Sequence, residues 1–145
     1  MANETRSKTL TIGWVLLLIL GILLAAGGLG SLAVAYRRSV DRIAGVELQR
    51  LAELSPDLPD ALRGRRATAA VLSFTSGVFL VWIALVPFKR GERWAWRAVA
   101  TSLGLGALLS ILRLPMLDTR LGAGAAVFVL VWVVAALLVS YRDFK

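Results

Sequence analysis

Four cations, Lys89, Arg90, Arg93 and Arg97, fall in one short stretch with Phe88, Trp94 and Trp96 among them. Guanidinium and ammonium groups at that density bind phosphate and carboxylate oxygens. Tryptophan beside them is the side chain that settles at the level of lipid head groups. The chemistry this cluster offers is binding of anionic head groups, through Lys89, Arg90, Arg93 and Arg97. Bond-making chemistry is poorly supplied. The chain has no histidine and no cysteine, which removes the commonest general base near neutral pH, the commonest metal and haem ligand, and all thiol chemistry. Met1 and Met116 are the only thioethers, and neither is placed to ligate within an apolar run. Serines are present without a nucleophile elbow or a base. Glycine-rich stretches lie inside apolar runs rather than after a strand, so no phosphate loop is indicated. The expectation is no catalytic residue, no metal site and no cofactor.

The elements that must hold this cluster are long and apolar. Charged residues make up 18% of the chain, below the roughly 25% of soluble domains, and the mean hydropathy is +0.74. Uncharged or nearly uncharged runs cover residues 9–36, 67–88, 94–112 and 121–141. As a helix, the first is about 42 Å long at about 1.5 Å per residue, against a hydrocarbon thickness of about 30 Å, so it spans with tilt or with an end in the interface. A basic start, apolar residues 12–24 and Ala33-Val34-Ala35 also fit a signal peptide. The long distance from that apolar core to Ala35 favours a retained first span. Arg97 and Arg113 sit near the ends of the third run, where their stems reach the interface. An arginine at the bilayer centre costs about 2.5–3.5 kcal/mol even on the lenient scale.

Residues 37–66 form the one sizeable polar link, with seven basic and five acidic residues. Ala44, Leu48, Leu51 and Leu58 recur at helical spacing, which predicts an amphipathic helix over about residues 40–54. It would lie on the membrane surface or dock a partner. Ser55-Pro56 and Leu58-Pro59 end it, and a new helix starts near Pro56 or Pro59 and runs into the second span. The predicted fold class is therefore all-α: an integral membrane four-helix antiparallel bundle, a single membrane domain over residues 1–145, with an amphipathic helix in its first link. The two short links make neighbouring helices antiparallel.

The face holding both termini and the Lys89–Arg93 turn carries eight basic residues against three acidic. They lie in short segments close to the spans, where the positive-inside rule has force. Trp14, Phe88, Trp94, Trp96, Tyr141 and Phe144 cluster toward the same face. Both termini are therefore expected in the cytoplasm. The net charge of +8 flanks apolar runs, which points to membrane lipids with anionic head groups and not to nucleic acid.

Helices in lipid associate through small residues and interhelical hydrogen bonds. Ala98, Ser102, Gly106 and Ser110 repeat every four residues in the third run. Folding at Gly91 brings Ser73 level with Ser110 and Gly77 near Gly106, so these faces are expected to pack. Residues 25–31, including Gly28, are expected opposite residues 122–126, including Gly124. The hydroxyls of Ser73, Thr75, Ser76, Ser102 and Ser110 could otherwise line a polar cavity, but weak donors without an ionisable group make a poor relay. Trp82 and Trp132 lie deeper and read as packing residues.

The stretch Phe88-Lys-Arg-Gly-Glu-Arg-Trp-Ala-Trp96 resembles the Arg-rich Gly-Glu-Arg-Trp-Ala-Trp turn between spans two and three of small uncharacterised bacterial four-span membrane proteins. Leu51-Ala-Glu-Leu-Ser-Pro56 resembles the break before their second span. The resemblance covers about the middle half of the chain. It implies bacterial origin and inner-membrane placement, and it transfers no catalytic residues.

Two functions follow as expectations. The first is a small non-catalytic membrane protein, self-associating as a homo-oligomer or serving as an accessory subunit of a larger membrane complex. The second is a transporter or binder of a hydrophobic small molecule or lipid, held among Trp14, Trp82, Trp94 and Trp132.

Overall fold

The computed structural model of the chain describes residues 2–37, 42–43, 46–117 and 123–144. Helix α1 spans Ala2–Tyr36, 35 residues without a proline. A two-residue antiparallel pairing follows, β1 (Arg42–Ile43) with β2 (Val46–Glu47). A 3-10 helix occupies Leu48–Glu53. Helix α2 runs Leu58–Ile83 and continues through a π-turn at Ala84–Phe88. Helix α3 (Arg93–Val99), a second π-turn (Ala100–Gly104) and α4 (Leu105–Leu117) make one continuous rod. Helix α5 spans Ala123–Ser140 and ends in a 3-10 turn at Tyr141–Phe144.

The four rods match the four apolar runs. Segments Lys8–Tyr36, Leu58–Phe88, Arg93–Leu112 and Gly124–Phe144 are each long and apolar enough to cross a membrane. Alanine and leucine, good helix formers, are frequent in the first three rods, and the prolines stand near the ends; the last rod is valine-rich, and in lipid its backbone groups are satisfied only within a helix. Pro59 lies in the first turn of α2, where its missing N–H is not needed. Pro87 lies inside the first π-turn. Its ring would clash with the carbonyl four residues back in a regular helix, and the wider turn relieves that contact.

The first link departs from the expectation. An amphipathic α-helix over about residues 40–54 is absent from its described part, which instead pairs Arg42 with Glu47 and Ile43 with Val46 before the 3-10 turn. Ile43 and Val46 are β-branched and favour extended backbone. Gly45 lowers helix propensity at the centre of a segment already too short to nucleate cheaply. Residues 38–41 and 44–45 of this link, and 118–122 of the last link, lie outside the described residues.

The residues form two compact units, Met1–Gly21 with Phe79–Lys145, and Ile22–Val78. In the first, Leu17, Leu20, Phe88, Val99 and Val133 are almost fully buried. The seam between α1 and α5 closes at Gly13, where an added Cβ would stand 2.8 Å from the Ser140 Cβ. Indole N–H groups cross-link the same unit: Trp132 donates to the Leu16 carbonyl at 2.8 Å, and Trp96 to the Leu137 carbonyl at 3.2 Å. The second unit is tied at Gly28, where a Cβ would come within 2.6 Å of the Phe74 backbone nitrogen and 2.8 Å of the Ala70 carbonyl. Beside it the Ser73 hydroxyl donates to the Leu24 carbonyl at 3.1 Å.

Candidate functional site

The basic cluster is built on the turn between the second and third rods. Lys89 N–H donates to the Ala84 carbonyl, Gly91 N–H to Phe88 and Glu92 N–H to Pro87, at 3.2, 2.9 and 3.0 Å. Gly91 takes φ +75°, the left-handed region that glycine enters without a Cβ penalty. The turn anchors itself below through Phe88, fully buried and 4.8 Å from the Phe144 ring. Glu92 caps the third rod by position only. Its carboxylate instead accepts the Trp94 indole N–H at 2.5 Å.

The four cations have different surroundings. The Lys89 ammonium lies 5.1 Å from the Trp14 ring centroid, a cation–π distance. Arg90 is exposed. Arg93 and Arg97, one helical turn apart, line a cavity of about 260 Å³ with Trp96, Tyr141 and Phe144. The wall is held from behind. Trp96 is fixed by its bond to Leu137 and faces the Tyr141 ring at 5.9 Å. The Tyr141–Phe144 turn is tied down by Asp143, buried, whose carboxylate accepts the Thr9 hydroxyl at 2.7 Å. Asp143 reads in the sequence as one more flanking charge. Only the fold brings it to Thr9, 134 residues away, and no local pattern announces that pairing.

A second cavity, of about 290 Å³, lies in the other unit between Ala35, Tyr36, Asp60, Arg63, Gly64 and Ala67. Its cation is already compensated: Arg63 and Asp60 form an ion pair at 3.0 Å. Nearby, Arg66 Nε–H reaches the Ser31 hydroxyl at 3.4 Å.

The small residues expected to pack divide sharply. Gly28 is a point of close approach, against Ala70 and Phe74 of α2. Gly124 is exposed, with nothing within 4 Å of an added Cβ, and Gly122 lies outside the described residues. Gly77 is buried, and Ser73 is engaged with Leu24. Ser102 and Gly106 face outward, and an added Cβ at Gly106 meets nothing within 4 Å. The Ser102 and Ser110 hydroxyls turn back on their own helix, to the Ala98 and Gly106 carbonyls at 2.6 and 2.8 Å.

The tryptophans expected to surround a ligand are each engaged separately. Trp14 meets Lys89, Trp94 meets Glu92, Trp132 meets Leu16, and the Trp82 ring lies 6.0 Å from Phe79. Trp96, expected among the interfacial aromatics, lines the cavity. Among the described residues no group of three or more His, Cys, Asp or Glu side chains could hold a metal ion. Comparison of the chain with protein-family models, curated proteins and solved structures returns no match.

Proposed function

We propose that this chain is a small non-catalytic integral membrane protein. It crosses a bacterial inner membrane four times as an antiparallel bundle, with both termini cytoplasmic, and associates there with a second copy or as the accessory subunit of a larger membrane complex. The observation that carries the reading is the apolar outside of all four rods. Leu29, Leu72, Leu105 and Leu138 are 52, 61, 55 and 70% exposed. A water-facing helix would place charge at such positions, whereas lipid is as apolar as leucine. The basic turn supports the orientation, since Lys89, Arg90, Arg93 and Arg97 stand together at one end of two rods, where anionic head groups of the cytoplasmic leaflet attract them. Association draws on the outward Ser102 and Gly106, whose lack of bulk lets another helix approach closely.

The test exploits the absence of native cysteine. A Gly106→Cys variant, oxidised in native membranes, is expected to give a covalent dimer or a cross-link to another membrane protein, whereas Leu138→Cys gives neither. A lone monomer with no copurifying protein in mild detergent would overturn the association. Release of the chain by alkaline carbonate would overturn membrane insertion, and an extracellular reading from a reporter fused after residue 145 would overturn the orientation.

A second reading, a binder of a lipid or other amphiphile, is favoured by the cavity beside Arg93 and Arg97. In that reading the ligand sits at the basic end and not among Trp14, Trp82, Trp94 and Trp132.

A further inference from the structure

We propose that the Ala100–Gly104 π-turn is a two-register switch in the third rod, whose closure into regular α-helix turns the rod's distal half by one residue position. Three observations carry it. The first is the burial pattern. Ala95 and Val99, before the turn, are 0 and 1% exposed. Counted on from Val99 at about 3.6 residues per turn, the buried side of a regular helix would pass near residues 102–103, 106 and 110. Burial instead falls at 103–104, at 107 and at 110–111, one residue late. A turn widened by one residue sets everything beyond it back by about 100°, which accounts for the delay. Ala98 is therefore half-buried, while Ser102 and Gly106, which share its period of four, are exposed.

The second observation is that nothing covalent holds this turn open. The π-turn of the second rod contains Pro87, whose ring and missing N–H oppose regular helix there. Ala100-Thr-Ser-Leu-Gly104 contains no proline, and its alanine and leucine are good helix formers. The third is a pair of hydroxyls. A widened turn leaves a carbonyl without its usual N–H partner, and in lipid that carbonyl needs another donor. Thr101 and Ser102 donate to the Arg97 and Ala98 carbonyls at 2.9 and 2.6 Å. In a regular helix each carbonyl has its own N–H donor, so the hydroxyls favour the open turn. Through residue 112 both registers offer an inner side without charge. The open one turns Leu103, Ala107 and Ile111 inward; the closed one turns Ser102, Gly106 and Ser110 inward, small residues that admit a neighbouring helix closely. Closing thus withdraws Ser102 and Gly106 from the outer surface. That consequence rests on the association reading above; the change of register does not.

The full chain, methyl-labelled at alanine and leucine and held in lipid nanodiscs, is read by NMR with a lipid-soluble nitroxide. The exposed Leu105 and Leu108 methyls are expected to broaden, and Ala107 to stay shielded. Exchange on the microsecond-to-millisecond scale of helix register shifts is expected at Leu103 and Ala107, toward a minor form of about 0.1–10%. Thr101→Ala/Ser102→Ala removes both hydroxyls and is expected to raise that form by up to about tenfold, the scale of one net hydrogen bond, with Ala107 gaining broadening. Deletion of Thr101 takes out the extra residue, so the rod becomes regular helix throughout, Ala107 stays shielded and the exchange disappears. Circular dichroism checks that each variant folds. A chain without exchange at Ala107, exchange that survives the deletion, or a Thr101→Ala/Ser102→Ala rod with Ala107 as shielded as before would each overturn the switch. A shifted register with undiminished dimer or partner yield would leave the switch standing and remove the third rod from the association reading.

Discussion

Two stretches of small residues look alike in the sequence and have opposite fates in the structure. Around Gly28, α1 lies directly on α2: the glycine faces the backbone of Ala70 and Phe74, and Ser73 spends its hydroxyl on the Leu24 carbonyl. Along the third rod, Ser102 and Gly106 stay open, and the hydroxyls of Ser102 and Ser110 bond to carbonyls of their own helix. The lesson is that a run of small side chains permits close approach without choosing the neighbour. A serine that can back-bond four residues earlier has its donor satisfied either way, so its presence does not report on a partner.

The sharpest way to break this comparison is to fill both glycines. Gly28→Leu drives a branched side chain into backbone atoms that cannot rotate aside, and a loss of about 3 kcal/mol or more is expected, at the upper end of overpacking costs. Gly28→Ala is expected to lose about 1–2 kcal/mol on the same scale. Unfolding in mixed detergent micelles followed by circular dichroism measures both. A Gly28→Leu variant as stable as wild type would mean that this seam is not closed.

Gly13 supplies a milder version. An added Cβ stands 2.8 Å from the Ser140 Cβ but meets a side-chain atom as well as the Ala136 carbonyl at 3.3 Å. Gly13→Ala is expected to cost about 1–2 kcal/mol, and adding Ser140→Gly should recover part of it. The recovery is the informative quantity: a double-mutant cycle with no coupling would show that the strain lies elsewhere.

How far could residues alone have led here? The four rods and the Gly91 turn are legible because each rests on local physics: uninterrupted apolar runs, prolines near helix ends, and a glycine inside a short charged stretch between two such runs. The link is the place where residues mislead: Ala44, Leu48, Leu51 and Leu58 satisfy a helical period while Ile43, Val46 and Gly45 favour other backbone, and period alone does not weigh the two. The choice of seam was not legible at all. Gly28 and Gly106 have the same intrinsic preferences, and which one meets a backbone is decided by how the rods are arranged. The candidate site was half legible. Arg93 and Arg97 stand out as charge, but the wall of Tyr141 and Phe144 arrives from the far end of the chain, fastened through Thr9 and Asp143.

Serine to alanine reads the same contrast at smaller scale. Ser73→Ala removes a hydroxyl that bridges two helices, and a loss of about 0.6 kcal/mol is expected, the average for such bonds inside a membrane. Ser102→Ala removes a bond within one helix and is expected to change stability by less than about 0.5 kcal/mol, as for an exposed site. Equal effects at the two positions would erase the distinction between a bridging and a self-satisfied hydroxyl.

The smallest effect on the single chain, and the most informative about its company, is expected at Gly106. Alanine there meets nothing and improves helix propensity by up to about 1 kcal/mol, so Gly106→Ala should leave stability unchanged or slightly raised. Gly106→Leu also has room in the isolated chain, yet it would block another helix from approaching at van der Waals distance. If the open stripe is where a second copy or a larger complex sits, Gly106→Leu lowers co-purification or dimer yield while the unfolding midpoint stays put. That separation of association from stability has no counterpart at Gly28, where any bulky residue should damage the fold itself. A Gly106→Leu chain that associates as well as wild type would move the contact surface off the third rod and leave the stripe as lipid-facing helix.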